Sequence, residues 1–329
     1  MKPILTNSGP NIELNALFFQ PTRWCNLNCK DCYVKDHEGG EEDFHTPWEE
    51  QWRLFKSFYN GSHWANQITI SIDDLHKDPT KRHHMVMIVD SILEELKKDT
   101  RPKENRPEVH FTFHTHQTFL QYQAEGIKGW EHLDLVSFSE MTISLRALEV
   151  WNEFNRWAVP INYNHMVPEN FNSQKERERL WLIGTNHSDY IYLVMKKQPI
   201  GSPDKNQTIK LGQNHWDTYQ LYISEVVDKL PDNVRRKVSI DGCVSDTIKY
   251  TRTGFGCSSN VSRVQIWPDG SVSGCPYAFR GTTEIGKSAQ DILDNIKAVR
   301  KSYEFKESCY LPSLDTSIDR RPKLRIIQS

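Results

Sequence analysis

Apolar and polar residues alternate with period two in several short stretches of the chain. Over 67–73, Ile68, Ile70 and Ile72 alternate with Gln67, Thr69, Ser71 and Asp73. Over 110–116, Phe111 and Phe113 alternate with His110, Thr112, His114 and His116, and over 136–139, Val136 and Phe138 alternate with Ser137 and Ser139. Near 160, Ile161 and Tyr163 alternate with Asn162 and Asn164. Period two predicts strands with one apolar and one polar face. Between them the spacing becomes helical. Thr46-Pro47-Trp48-Glu49 offers a cap and a first-turn proline for a helix carrying Trp52, Phe55 and Phe58, which Gly61 ends. Asp78-Pro79 opens a second helix with the stripe Met85, Val89, Ile92 and Leu96, and Ser173 with Glu176 forms the capping box of a third.

Strand followed by helix, repeated, predicts a parallel sheet, open or rolled into a barrel. A sheet covered on both faces by packed layers reads as continuous Val, Ile and Leu, and a closed eight-stranded barrel fills its interior with branched apolar side chains. Here one face is polar in strand after strand. The expectation is a wide or incomplete barrel around a solvated cavity; the alternative is an antiparallel sheet with one wet face. Beyond about 201 the pattern loosens. GSPDKNQT reads as a loop, 215–230 as a helix, 237–240 as a short strand, 262–274 as a hairpin turned at Pro268-Asp269-Gly270, and 289–305 as a helix.

Composition narrows the function classes. The 329 residues are 37% hydrophobic and 26% charged, enough for a sizeable core. The net charge of −2 argues against a chain built for general nucleic-acid binding or for an anionic membrane surface. No apolar run approaches membrane-spanning length, and MKPILTNSGPNIELN is not a signal peptide, so a cytoplasmic protein is expected.

Seven cysteines in a reducing compartment are thiols, metal ligands or catalysts rather than a disulfide framework. Cys25, Cys29 and Cys32 fall together, and Cys243, Cys257, Cys275 and Cys309 occupy the last third, marking two sites. CxxxCxxC on a loop after the first strand (about 16–20) can hold three irons of a cubane iron–sulfur cluster and leave the fourth open. The alternative is a zinc site of Cys25, Cys29, Cys32 and His37.

The phrase Cys25-Asn26-Leu27-Asn28-Cys29-Lys30-Asp31-Cys32-Tyr33 closely resembles the cluster-binding loop of radical S-adenosylmethionine (radical SAM) enzymes. The resemblance implies a partial (β/α)6 TIM-like barrel over about 10–205. It further implies a three-cysteine [4Fe–4S] cluster whose open iron chelates S-adenosylmethionine (SAM), and reductive cleavage to a 5′-deoxyadenosyl radical that takes hydrogen from a substrate. An electron donor such as flavodoxin or ferredoxin belongs to that chemistry. Two positions depart from the family pattern. Asp31 stands where an aromatic residue usually precedes the last cysteine, with Tyr33 next to it as a partial substitute. The family's Gly-Gly-Glu at the end of the second strand is replaced by Ser71-Ile72-Asp73-Asp74, which makes Asp73 the candidate for the SAM ammonium. The literal Gly39-Gly40-Glu41 lies in the loop past the cysteines and reads as a surface turn. By strand order, Ser137, Ser139, Asn162 and Asn164 match where the family contacts SAM ribose and adenine.

Cys257, twelve residues, Gly270, four residues and Cys275 resemble the opening of a SPASM or shorter twitch domain, followed by Cys-Pro-Tyr. With Cys243 before and Cys309 after, at most one auxiliary [4Fe–4S] cluster can be built; zinc or buried structural thiols are the alternatives. The division expected is 1–205 for the barrel, 206–245 for a connecting helix and strand, and 246–329 for a small α+β auxiliary domain with the tail. His110, His114 and His116 are candidates for substrate or SAM hydrogen bonds or, as a trio, for a metal, and Tyr190 and Tyr192 for the cavity wall. The polar wall points to a polar substrate, and the resemblance implies one of peptide, carbohydrate or nucleoside type. About 24 residues precede Cys25, too few for a fused leader-peptide-binding domain. The rival is a non-enzymatic, zinc-stabilised binding protein.

Overall fold

A computed structural model describes residues 14–22, 47–60, 65–140, 144–168, 170–194, 213–240, 263–267 and 272–273, with isolated positions 291 and 294. The alternation seen in the sequence becomes six strand–helix units: β1 (Leu14–Phe19), α1 (Trp48–Asn60), β2 (Ala65–Ile72), α2 (Pro79–Lys98), β3 (Glu108–Thr115), α3 (His116–Ala124), β4 (Leu135–Glu140), α4 (Leu145–Arg156), β5 (Ile161–Met166), α5 (Ser173–Asn186), β6 (Tyr190–Val194) and α6 (Gln213–Glu225). A short helix α7 (Asp232–Arg235) leads to β7 (Val238–Ile240), and the hairpin strands β8 (Arg263–Ile266) and β9 (Val272–Ser273) follow. The sheet order is β7-β6-β5-β4-β3-β2-β1-β8-β9. All pairings are parallel except β8 with β9, so eight strands form the curled sheet of an α/β, TIM-like partial barrel. The antiparallel alternative is excluded.

Two strands extend the six-unit expectation. β7 adds beside β6, and β8 pairs with β1 on its other side, with Phe19 opposite Ile266. The first strand of the predicted hairpin therefore belongs to the barrel sheet itself, and the Gln20 amide continues the pairing by donating to the Ile266 carbonyl (3.1 Å).

The helix-facing sides carry the core. Ile68, Ile70, Ile72, Phe111, Phe113, Val136, Phe138, Ile161, Ile191 and Leu193 are buried beneath Phe55, Phe58, Met85, Val89, Ile92, Phe119 and Phe154. Aromatic rings fill the centre: Phe113 stacks on Phe138 and meets Phe119 edge-on, each with ring centroids 5.7 Å apart. The Asp78 side chain caps α2 by accepting from the Thr80 and Lys81 amides, with Pro79 at the first helical position. Two starts differ from the sequence reading. The cap of α5 is Asn172, accepting from the Lys175 amide, and not Ser173; Glu176 is drawn inward instead of back to the cap. His116 opens α3, because Thr115 and Thr118 form a capping box that ends β3 one residue earlier. The predicted helix over 289–305 lies outside the described residues but for 291 and 294.

One polar knot interrupts the apolar layer above β5. Tyr222 on α6 donates to Glu176 on α5 (2.9 Å) and its oxygen lies 2.8 Å from His165 Nε2. Tyr163 Oη lies 3.1 Å from His165 Nδ1 and accepts from Arg179 (3.0 Å). With the single Tyr222 proton committed to Glu176, His165 carries its hydrogen on Nε2 and accepts from Tyr163 at Nδ1. At the opposite, N-terminal end of the strands, Asp134 accepts two bonds from Arg106 and one from the Val109 amide (2.9 Å).

Candidate functional site

The face turned away from the helices is polar in row after row. Register places Ser71 opposite Thr112, Thr112 opposite Ser137, Ser137 opposite Asn162, and Asn162 opposite Tyr190. One rung higher Asn164 pairs with Tyr192, and Tyr192 with Ser239. The amide of Asn162 donates to Ser137 Oγ (3.1 Å) and to Asn164 Oδ1 (2.8 Å), so the row is preorganised rather than a set of loose side chains. Toward the base, His110 is buried against Glu108 (3.1 Å), and burial holds its imidazole below the usual range against the pull of that carboxylate.

At the C-terminal mouth the ionisable groups gather where β1, β2 and β3 end. Asp73, the first residue past β2, is 2% exposed. Its Oδ1 lies 2.7 Å from His114 Nε2, and its carbonyl accepts from Tyr122 Oη (3.0 Å). Its other carboxylate oxygen, Oδ2, is buried without a hydrogen-bond partner among the described residues. Burial raises the pKa of Asp73, while the hydrogen bond and charge of His114 work against that rise. Asp74 turns away and accepts from Thr118 Oγ1 on α3. Asp73 also borders a small cleft with Pro21, Thr22, Ser71, His84 and Tyr122, where the chain leaves β1.

The structure brings together Asp73 and His114, and separately Ser137 and Asn162. Ser71 is half-buried on the same polar face, Ser139 is exposed, and Tyr192 is half-buried one rung above the exposed Tyr190. His116 does not share the face of His110 and His114. It begins α3, is buried, and lies 3.0 Å through Nε2 from the Gln117 amide nitrogen. Among the described residues no group of three or more His, Cys, Asp or Glu could hold a metal ion, and the histidine trio forms none. Tyr33 and all seven cysteines, Cys25, Cys29, Cys32, Cys243, Cys257, Cys275 and Cys309, lie outside the described residues. No helix among the described residues is long and apolar enough to cross a membrane.

No family model matches the sequence, and no curated protein matches it. The class the fold defines, a TIM-like partial barrel, is shared with solved structures. Streptococcus suis SuiB superposes with a TM-score of 0.55 at 14% identity, over 88% of this chain and 68% of that one. SuiB bound to S-adenosylmethionine gives a TM-score of 0.54 at 14% identity over 90% and 67%. Native anSMEcpe with bound AdoMet gives 0.51 at 13% identity over 85% and 80%. At these identities the likeness is one of fold.

Proposed function

We propose that the chain is a radical SAM enzyme acting on a polar substrate. The observation that carries this reading is a polar-walled partial barrel whose first described strand is followed in the sequence, past Gln20–Thr22, by the CxxxCxxC segment of Cys25, Cys29 and Cys32. Two fold neighbours that hold S-adenosylmethionine support it. The donor set fits the cofactors. Three thiolates suit a [4Fe–4S] cluster with one iron left open. A buried carboxylate oxygen lacking a donor among the described residues suits the ammonium of SAM, because leaving such a group unsatisfied costs about 1–3 kcal/mol or more.

When bound, the cluster supplies the electron that splits the sulfonium S–C5′ bond of SAM, giving methionine and a 5′-deoxyadenosyl radical. The residues of the chain do the rest by position. Asp73 receives the ammonium, steadied by His114. Ser71, Ser137, Ser139 and Asn162 hydrogen-bond the ribose and adenine, and Tyr33 packs near the base. His110, His114, His116 and Tyr192 are candidates for the substrate, His116 from the start of α3 rather than from the strand face. Holding the target carbon against C5′ and excluding water is the main protein contribution.

The remaining parts of the reading rest on the sequence: one auxiliary [4Fe–4S] cluster of the SPASM/twitch type on Cys257 and Cys275, with Cys243 and Cys309, and a flavodoxin or ferredoxin as donor. The barrel of 1–205, extended by β7 and β8, and the cysteine-bearing remainder of 246–329 then serve the two clusters. A peptide, carbohydrate or nucleoside-type substrate fits the hydroxyl and amide rows.

Anaerobic purification with metal and sulfide analysis is the first test. About eight irons per chain match two cubanes, and zinc without sulfide overturns the reading in favour of a zinc-stabilised binding protein. Incubation with SAM and a reductant should release 5′-deoxyadenosine, and Cys29→Ala should abolish that release.

A further inference from the structure

Resting on that reading, we propose that Asp73 and His114 act as a proton-exchanging pair. The ammonium of SAM takes the place of a proton on the pair, so that cofactor binding is weakened by acid. His114 is thereby a positioning residue for Asp73.

The argument begins with the geometry. Asp73 is 2% exposed and has one carboxylate oxygen on His114 and the other on nothing among the described residues. Among the described residues, a carboxylate in that position is short of positive charge. His114 is the basic group in hydrogen-bond contact with it, and its side chain is 32% exposed, so it exchanges protons with solvent. Before the ammonium binds, retaining one proton within the pair, on imidazole or carboxyl, offsets the buried charge. Burial, the first cause of the raised Asp73 pKa, acts in the same direction.

An ammonium arriving at Oδ2 reverses the balance. It supplies the missing donor and a full positive charge, and a protonated His114 beside it then costs free energy through like-charge repulsion. The proton leaves, and the pair holds the ammonium as carboxylate and neutral imidazole. Among the described residues, the other groups facing Asp73 do not supply this charge. Burial holds His84, across the cleft on α2, at about 4, so it is neutral near pH 6–7. Tyr122 on α3 is held far above its ordinary range by burial and stays a phenol. Asp74 is engaged with Thr118 and adds negative charge, raising the Asp73 pKa further. The chain leaving β1 contributes Pro21 and Thr22, which do not titrate.

The test is isothermal titration calorimetry of anaerobically isolated, iron-loaded protein with SAM between about pH 5.5 and 7. This range lies below the ordinary α-amino pKa of about 8, so the ligand stays an ammonium. Repeating each titration in buffers of different ionisation enthalpy counts protons. The expected wild-type result is release of a substantial fraction of one proton, with Kd falling up to tenfold per unit rise in pH and levelling at higher pH. His114→Gln keeps a hydrogen-bond donor but removes the titrating imidazole and leaves the Asp73 carboxyl to hold the proton alone, so proton release and pH slope should both fall below the wild type across this range. Asp73→Asn should bind at least tenfold more weakly, with proton release likewise reduced. 5′-Methylthioadenosine, which lacks the amino acid group, should bind without proton release. A wild-type protein that binds SAM with no proton release, or a His114→Gln protein that keeps the wild-type slope, overturns the exchange while leaving the enzyme reading intact. Absence of one-to-one SAM binding at every pH overturns the enzyme reading itself.

Discussion

Replacing Tyr222 by Phe changes one atom in the polar knot that fastens α5 and α6 to β5. Tyr222 is 0% exposed, so the ring stays where it is and the volume hardly changes. What disappears is a hydroxyl that donates to the Glu176 carboxylate at 2.9 Å and lies 2.8 Å from His165 Nε2. His165 Nε2 remains 3.2 Å from the Glu176 carboxylate, so the imidazole keeps a partner and the carboxylate loses one. The loss is therefore one hydrogen bond to a charged group, about 1.5–3 kcal/mol. Urea unfolding at pH 7 should show a lower midpoint by that amount at unchanged m-value. Tyr222→Phe combined with Glu176→Ala should cost less than the sum of the two, because both remove the same bond. A loss below about 0.5 kcal/mol, or strict additivity, would refute the assignment of Tyr222 as the donor to Glu176.

The same knot sets a pH dependence with two steps. Burial keeps His165 below its ordinary pKa, so the unfolded chain binds the proton that the folded chain refuses; stability should fall as pH drops below about 6.5. The hydrogen bond from His165 holds Glu176 below the usual carboxylate range, so its contribution, full above about pH 4.5, is lost on further acidification, a second step readable in urea titrations by pH. Gly184→Ala places a Cβ 2.6 Å from Val234 Cγ1, and should destabilise by about 1–3 kcal/mol, with Val234→Ala restoring part of the loss in the double variant. Asp134→Ala strands Arg106 and the Val109 amide and should cost about 3–5 kcal/mol, measured by the urea midpoint. Asp78→Ala removes the cap of α2 and should cost about 0.5–2 kcal/mol by the same measurement.

The parallel sheet and its wet face were legible because each strand repeats the same alternation. Ile68, Ile70 and Ile72 lie buried, while Ser71 stays on the other face, as period two requires. The alternation misled at His116, which fits the strand pattern but is claimed by the Thr115–Thr118 capping box, a local hydrogen bond that hydrophobicity does not report. Ser173 misled for the same reason, since Asn172 one residue earlier caps as well. Asp73 could be singled out by its place at a strand end, but its bond to His114 joins residues on different strands and has no signature in either segment. The knot at His165 was missed, although its signal was present: Tyr163 and His165 continue the core-facing positions of β5 with polar side chains, which need buried partners.

β1 is flanked by β2 on one side and by β8 on the other, so it waits for a strand far later in the sequence before both its edges are occupied. A polypeptide ending before residue 263 presents the backbone of Leu14–Phe19 as an open ribbon with apolar neighbours, a template for pairing with other molecules. Shortened forms should therefore be sticky rather than merely inactive, and co-expressing the missing tail as a separate peptide should keep them in solution.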